Sequence, residues 1–314
     1  MSKRIVVTGG AGFIGSALVR GLLRYGAPKV VVVDNLLTGN RANLDEVADC
    51  IEHRDVDIRN YPALLDSFSG ADQVFHLAAI PSVPRSILDP VPSHEVNIDG
   101  TFNVFQAAKE TGVKRVIYAA SSSAYGDTPT LPKSEHMLPT PKSPYAAQKL
   151  MGEYYATVFS SCFGLETVSL RFFNVYGPRQ DPGSPYSGVL SIFMRCLLQQ
   201  SPPTIHGDGE QSRDFTYVED VVELLLKASR AKGISGNVYN AGNGNRYTLN
   251  YVWSVLQDVA GIKMDAIYGP SRDGDVRDSQ ADTAAAVRDL GHAPAFGLEE
   301  GLRRTFEWYR ANSV

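Results

Sequence analysis

The chain has 314 residues, of which 43% are hydrophobic and 20% charged, with a formal net charge of −4. That length holds one large core or two merged domains, and the composition is that of an ordinary globular protein. The mildly acidic balance argues against a nucleic-acid-binding face, and no run approaches the ~18 apolar residues of a membrane span.

The opening MSKRIVVTGG enters a strand pattern at once, so no secretory leader is expected, and the expected compartment is the cytoplasm. The first predicted strand, residues 4–8, ends in Thr8-Gly9-Gly10-Ala11-Gly12-Phe13-Ile14-Gly15, and a helix pattern follows over 13–25. Glycines at a strand-to-helix turn let backbone N–H groups approach a diphosphate, and the helix N-terminus adds its positive dipole end. The second strand, 30–34, closes on Asp34, about twenty residues beyond the glycines, where an acid accepts hydrogen bonds from an adenosine ribose. A carboxylate there repels the 2′-phosphate of NADP, and Asn35-Leu36-Leu37 supply no arginine, so NAD is the expected cofactor.

Strands over 50–56, 73–77 and 115–121 alternate with helices over 61–68 and 96–111, and a helix over 144–163 precedes a strand over 167–171. Several strands are almost unbroken β-branched runs, as in parallel sheets covered on both faces. The fold class is therefore α/β: a doubly wound parallel sheet of Rossmann type. Beyond residue 175 the chain becomes rich in Gly, Pro and polar residues, with helices over 189–200, 219–231, 248–260 and 298–310. This divides it into a cofactor domain, 1–175, and a smaller C-terminal α/β substrate region, 176–314, with a soft boundary across which segments interleave. Cys50, Cys162 and Cys196 are far apart and share no metal-ligand spacing with the six histidines, so buried reduced thiols and no metal are expected.

The chemistry concentrates in Ser143-Pro144-Tyr145-Ala146-Ala147-Gln148-Lys149. Tyr145 and Lys149, four apart, share one helix face. By itself such a pair is an ordinary helix surface, and a free phenol with pKa about 10 is a poor base. A neighbouring ammonium and a positive nicotinamide ring both favour phenolate. The pair gains meaning from Ala119-Ala120-Ser121-Ser122-Ser123, at the C-terminal end of the strand over 115–121, the edge where doubly wound sheets bind ligands.

Together these segments resemble the extended short-chain dehydrogenase/reductase family, and within it the UDP-hexose 4-epimerases, over nearly the whole chain. The resemblance also rests on Asp57-Ile58, His76-Leu77-Ala78-Ala79, the run Arg171 to Arg179, Ser212-Arg213-Asp214-Phe215 and Arg272-Asp273-Gly274-Asp275. It implies Ser121, Tyr145 and Lys149 as catalytic residues, with Tyr145 the base. It implies an NAD site formed by Gly9, Gly12, Phe13, Ile14, Gly15, Asp34, Asn35, Asp57, Ile58, Leu77, Ala78, Ala79, Asn97, Ala119 and Phe172 together with Tyr145 and Lys149. For the UDP-sugar it implies Ser122, Ser123, Asn174, Val189, Arg213, Arg272, Asp275 and Ser279, the arginines gripping the diphosphate in bidentate fashion.

The implied reaction inverts C4 through transient oxidation to a 4-keto sugar, in a homodimer built on the helices over 96–111 and 144–163. Relatives restricted to non-acetylated sugars carry tyrosine where this chain has Ser279, so N-acetylated substrates are expected beside the plain ones. Some epimerases carry a lysine near the nicotinamide where this chain has Pro81. A UDP-glucuronate 4-epimerase stays open. A 4,6-dehydratase carries an Asp-Glu pair where Ser122 and Ser123 stand, and a UDP-glucuronate decarboxylase carries a glutamate at the position of Ser123. A non-catalytic NAD-sensing regulator would need neither Tyr145, Lys149 nor the arginines.

Overall fold

The computed structural model describes residues 4–181, 188–271 and 276–312. The first half runs β1 (Ile5–Thr8), α1 (Phe13–Arg24), β2 (Val30–Val33), β3 (Ile51–Arg54), α2 (Tyr61–Phe68), β4 (Gln73–His76), α3 (Val83–Leu88), α4 (Pro90–His94), α5 (Thr101–Glu110), β5 (Arg115–Ser121), α6 (Pro144–Phe163) and β6 (Glu166–Phe172). The second half adds β7 (Asn174–Tyr176), α7 (Val189–Leu198), β8 (Thr204–His206), β9 (Ser212–Arg213), β10 (Phe215–Tyr217), α8 (Val218–Ala228), β11 (Asn237–Ala241), β12 (Tyr247–Thr248), α9 (Leu249–Ala260), β13 (Ile267–Gly269), α10 (Ala284–Leu290) and α11 (Leu298–Ala311).

Seven strands form one sheet in the order β11-β6-β5-β4-β1-β2-β3, every pairing parallel. The order reverses between β1 and β4, which opens a crevice at the carboxyl ends of the strands. β2 is four consecutive valines, all buried, because helices cover both faces. The long α6 is set by its ends. Pro144 occupies the first turn, the Ser143 side chain accepts from Ala146 N, and Gly164 closes the helix in the left-handed region at φ 70°.

Two features differ from the sequence-based expectation, and one strand, β11, was not among the predicted elements. The sheet takes its seventh strand, β11, from beyond residue 175, and α8 packs on α1 over the same core, with Leu18 and Leu22 beside Val221, Val222 and Leu225. β11 reads NVYNA, too short and polar to stand out as a strand; it exists because the edge of β6 is there to pair with it. The expected helix over 96–111 begins earlier, at Pro90, and carries a π turn at Glu95–Gly100 that swings Asn97 into the interior. Cys50 and Cys162 are exposed, not buried, since one ends the Arg41–Cys50 turn and the other lies in the last turn of α6. A second core, with Phe193, Trp253, Leu256, Leu302 and Phe306, supports the C-terminal half. Among the described residues, no helix is long and apolar enough to cross a membrane.

Candidate active site

A cleft of about 1410 Å³ runs along the carboxyl ends of the strands, between the sheet and the C-terminal half. Its cofactor wall begins with the glycine turn. Gly9 has φ +72°, and a Cβ on it would stand 2.6 Å from Ala78 N; a Cβ on Gly15 would stand 2.0 Å from Gly9 O. The wall is a backbone surface that side chains would fill. Asp34, 8% exposed, accepts from Ala11 N at 2.9 Å and from Leu36 N at 2.8 Å, tying the end of β2 to the glycine turn. Further along, Asp57 accepts from Asn35 Nδ2 at 3.0 Å and from the Arg59 guanidinium at 2.7 Å, which holds its carboxyl below the usual range. Gly12, Phe13, Ile14, Ile58, Leu77, Ala78, Ala79, Ala119 and Phe172 line the same cleft. A glycine cradle with a carboxylate at its far end fits a dinucleotide whose ribose keeps its 2′-hydroxyl.

The reactive corner is built by β5 and α6. The Tyr145 side chain stands by Ser121 at the end of β5, while Tyr145 N donates to Ser86 Oγ of α3 at 3.1 Å. Ser123 donates to Ser121 Oγ through both its hydroxyl, at 2.8 Å, and its backbone N–H, at 3.2 Å. With its acceptor sites so used, the Ser121 proton is directed to Tyr145 or to a ligand. Lys149, 4% exposed, donates from Nζ to Ala119 O at 2.7 Å and stands 4.9 Å from the Tyr118 ring centroid. Burial lowers its ammonium to about 8, with Glu153 acting in the opposite direction. Burial pushes the Tyr145 phenol up, and the Ser121 hydroxyl beside it pulls it down.

On the opposite wall stand Asn174, Arg213 and Ser279. Asn174 Nδ2 donates to Ser279 Oγ at 3.4 Å and to Asp214 O at 3.3 Å, and Arg213 is braced against the carbonyls of Ser212 and Arg277, each at 2.9 Å. The organiser of this wall is Asp214, which sequence reasoning missed as a functional position. Fully buried, it accepts from Asn243 N at 2.8 Å, Gly244 N at 2.9 Å and Ala281 N at 3.0 Å, so one carboxylate holds two loops in place. Its only signal in the sequence was its place in SRDF.

Ser122 and Ser123 also line the cleft, and so does Pro81. Two expected residues do not reach it. Asn97 lies behind the wall, its amide committed to Ile80 N and O at 2.8 and 3.2 Å and to Gln148 Oε1 at 2.9 Å. Val189 begins α7 and packs on the second core, leaving Gly188 at the cleft. Arg272 and Asp275 fall outside the described residues. The structure adds Arg179 to the lining, a residue in the left-handed region at φ 70° that crosses to Glu46 at 2.7 Å.

A dinucleotide cradle on one side and a Tyr–Lys–Ser corner on the other define an enzyme that acts on a hydroxyl-bearing carbon with a nicotinamide cofactor. The model described as the NAD dependent epimerase/dehydratase family matches residues 5–242. A UDP-glucose 4-epimerase of Mycolicibacterium smegmatis is 38% identical over 99% of both chains. The structure superposes on UDP-N-acetylglucosamine 4-epimerase from Methanobrevibacter ruminantium M1, in complex with UDP-N-acetylmuramic acid, with a TM-score of 0.94, 37% identity and 99% coverage of both chains. It superposes on the UDP-glucose 4-epimerase of Thermus thermophilus, in complex with NAD, with a TM-score of 0.89, 37% identity and coverage of 98% of this chain and 99% of that one. The chain belongs to the NAD-dependent epimerase/dehydratase family, and its cofactor is NAD.

Proposed function

We propose that this protein interconverts C4 epimers of UDP-hexoses, accepting UDP-N-acetylglucosamine and UDP-N-acetylgalactosamine as well as UDP-glucose and UDP-galactose. The observation that carries the proposal is the Ser121–Tyr145–Lys149 corner standing across one cleft from Asn174, Arg213 and Ser279. Gly9 to Gly15, Asp34, Asn35, Asp57 and Ile58 would hold NAD, and bound NAD supplies reversible oxidation at the sugar carbon.

The chain's own residues handle protons and position. Tyr145 takes the proton from O4, and the Lys149 ammonium favours the phenolate it needs. Ser121, its acceptor sites filled by Ser123, donates a hydrogen bond to O4, and Tyr145 gives back to O4 the proton it took when the opposite face is reduced. Arg213 and Asn174 hold the UDP end while the sugar turns. Ser122 and Ser123 carry hydroxyls where a dehydratase carries an acid pair, and Ser123 stands where a decarboxylase carries a glutamate, so neither position offers a carboxyl for elimination or loss of carbon dioxide. Ser279 leaves room on the wall for a 2-acetamido group.

Exposed Phe102 on α5, with Met151, Tyr154, Val158 and Phe163 on α6, supports a homodimer built on these helices. Free, exposed Cys50 and Cys162 suit a reducing cytoplasm. The direct test incubates the purified protein with each UDP-sugar, UDP-glucuronate included, and separates the products. C4 epimers of both the plain and the acetylated pairs are expected. Turnover of UDP-glucuronate alone, or of no neutral UDP-hexose, overturns the proposal.

A further inference from the structure

Behind Lys149 lies a buried polar row that the reaction as described does not use. Glu153, one turn further along α6 and 2% exposed, receives a two-pronged contact from Arg171 of β6, Nε at 2.9 Å and Nη2 at 2.7 Å. The Arg171 guanidinium lies 4.6 Å from the Tyr125 ring centroid, and the Tyr125 hydroxyl donates to Asn240 Oδ1 of β11 at 2.6 Å. Asn240 Nδ2 in turn donates to Lys133 O at 2.7 Å and Asp282 O at 3.0 Å. A chain of contacts from α6 through β6 to β11 thus fixes the Glu153 carboxylate.

Stability does not explain this arrangement. Removing two charges from water costs about what their attraction returns, and well-packed apolar pairs often replace buried ion pairs without loss. What distinguishes the pair is its neighbour. Residues four apart on a helix share a face, so Glu153 stands on the Lys149 side of α6.

The titratable groups facing Lys149 are Tyr145 and Glu153 from α6, Tyr118 from β5, His76 from β4 and, through Glu153, Arg171 from β6. His76 is locked between Thr8 Oγ1 at 2.8 Å and Thr101 Oγ1 at 2.9 Å; burial and then the Lys149 charge bring it down to about 3, so it stays neutral. Burial holds Tyr118 well above the ordinary phenol range. Glu153 is the one carboxylate in this set.

We infer that the Glu153–Arg171 pair is a positioning device for the Tyr145–Lys149 couple: Arg171 holds the Glu153 carboxylate ionised, and that carboxylate keeps the Lys149 ammonium charged beside Tyr145. The inference rests on the Tyr145–Lys149 reading above. A carboxylate that loses Arg171 has only the Lys149 charge to set against its burial, so its protonation shifts up and its field weakens. Without that field Lys149 loses its proton at lower pH, and a neutral amine no longer favours phenolate at Tyr145. On the acid limb of the rate profile both Lys149 and Tyr145 keep their protons whether or not Glu153 is charged, so the variant and wild type converge there.

The test uses the NAD-loaded enzyme as Glu153→Gln, as Arg171→Met, and as the double variant Glu153→Leu with Arg171→Met, which leaves neither member of the pair buried without the other. Two readouts are taken across pH: kcat for C4 inversion, and ionisation of Tyr145 from phenolate absorbance against the Tyr145→Phe background. All three variants should lose turnover progressively as pH rises, about tenfold for each unit by which the Lys149 titration falls, with reduced phenolate at neutral pH and no deficit on the acid limb. A deficit of equal size at every pH, or none in a folded variant, overturns the inference. If Tyr145→Phe itself retains turnover, the Tyr–Lys reading falls first, which separates the two failures.

Discussion

Replacing Gly15 by alanine tests the cofactor wall with one methyl group. The added Cβ would stand 2.0 Å from Gly9 O, 2.8 Å from Gly10 Cα and 2.9 Å from Gly9 C, whereas ordinary contact begins at 3.4 Å, so the turn must open by 3.4 − 2.0 = 1.4 Å. Every atom met is backbone, so no side chain can rotate away. Overpacking of this kind costs about 1–3 kcal/mol, and the rigidity of the turn puts Gly15→Ala at the upper end. A movement of that size also takes backbone N–H groups out of hydrogen-bond range of a bound diphosphate, each worth roughly 1.5–3 kcal/mol to a charged acceptor. Together these predict NAD affinity weakened by about 10²–10³-fold at ~1.4 kcal/mol per decade.

The assay is NAD content after purification, NAD titration of the stripped protein, and melting temperature with and without NAD, since a ligand bound only to the native state raises it. Gly26→Ala is the control: it sits at φ +76° with nothing within 4 Å of its Cβ, so it should lose about 1–2 kcal/mol of stability from the left-handed backbone and leave NAD binding unchanged. Wild-type NAD affinity in Gly15→Ala would refute the cradle, whatever the stability of the variant.

Tyr145→Phe removes only the phenolic oxygen, so C4 inversion should fall by about 10²–10⁴-fold while UDP still binds; near-normal turnover in a steady-state assay would remove Tyr145 from the mechanism. Asp34 presents a buried carboxylate at the ribose end, so NAD should bind at least about tenfold more tightly than NADP, a gap that Asp34→Ala should narrow; equal affinities in wild type contradict this. Ser279→Tyr fills the wall beside Asn174, and kcat/KM for the acetylated UDP-sugars should fall by about 10²-fold or more, with a much smaller loss for the plain pair. An equal fall in both pairs would show that the wall at 279 does not sort substrates.

The parts of this protein legible in its sequence are those whose cause is local. Four consecutive valines fit a strand covered on both sides, a glycine string between a strand and a helix needs no distant partner to be read, and Tyr145 and Lys149 share a face because helical periodicity aligns residues four apart. The parts that waited for the tertiary structure are those whose cause is another segment. β11 is a strand because β6 offers an open edge to residues 237–241, and Asn97 leaves the cofactor wall because a π turn hands its amide to Ile80 and Gln148.

Asp214 and Glu153 look in the sequence like any other acids. Only folding takes them out of water, and a buried carboxylate must then find donors wherever the chain passes: three backbone N–H groups for Asp214, the Arg171 guanidinium for Glu153. Desolvation is a property of the whole packed molecule, so the sequence could name the candidate groups of the site, while their positions and charges were decided by the fold.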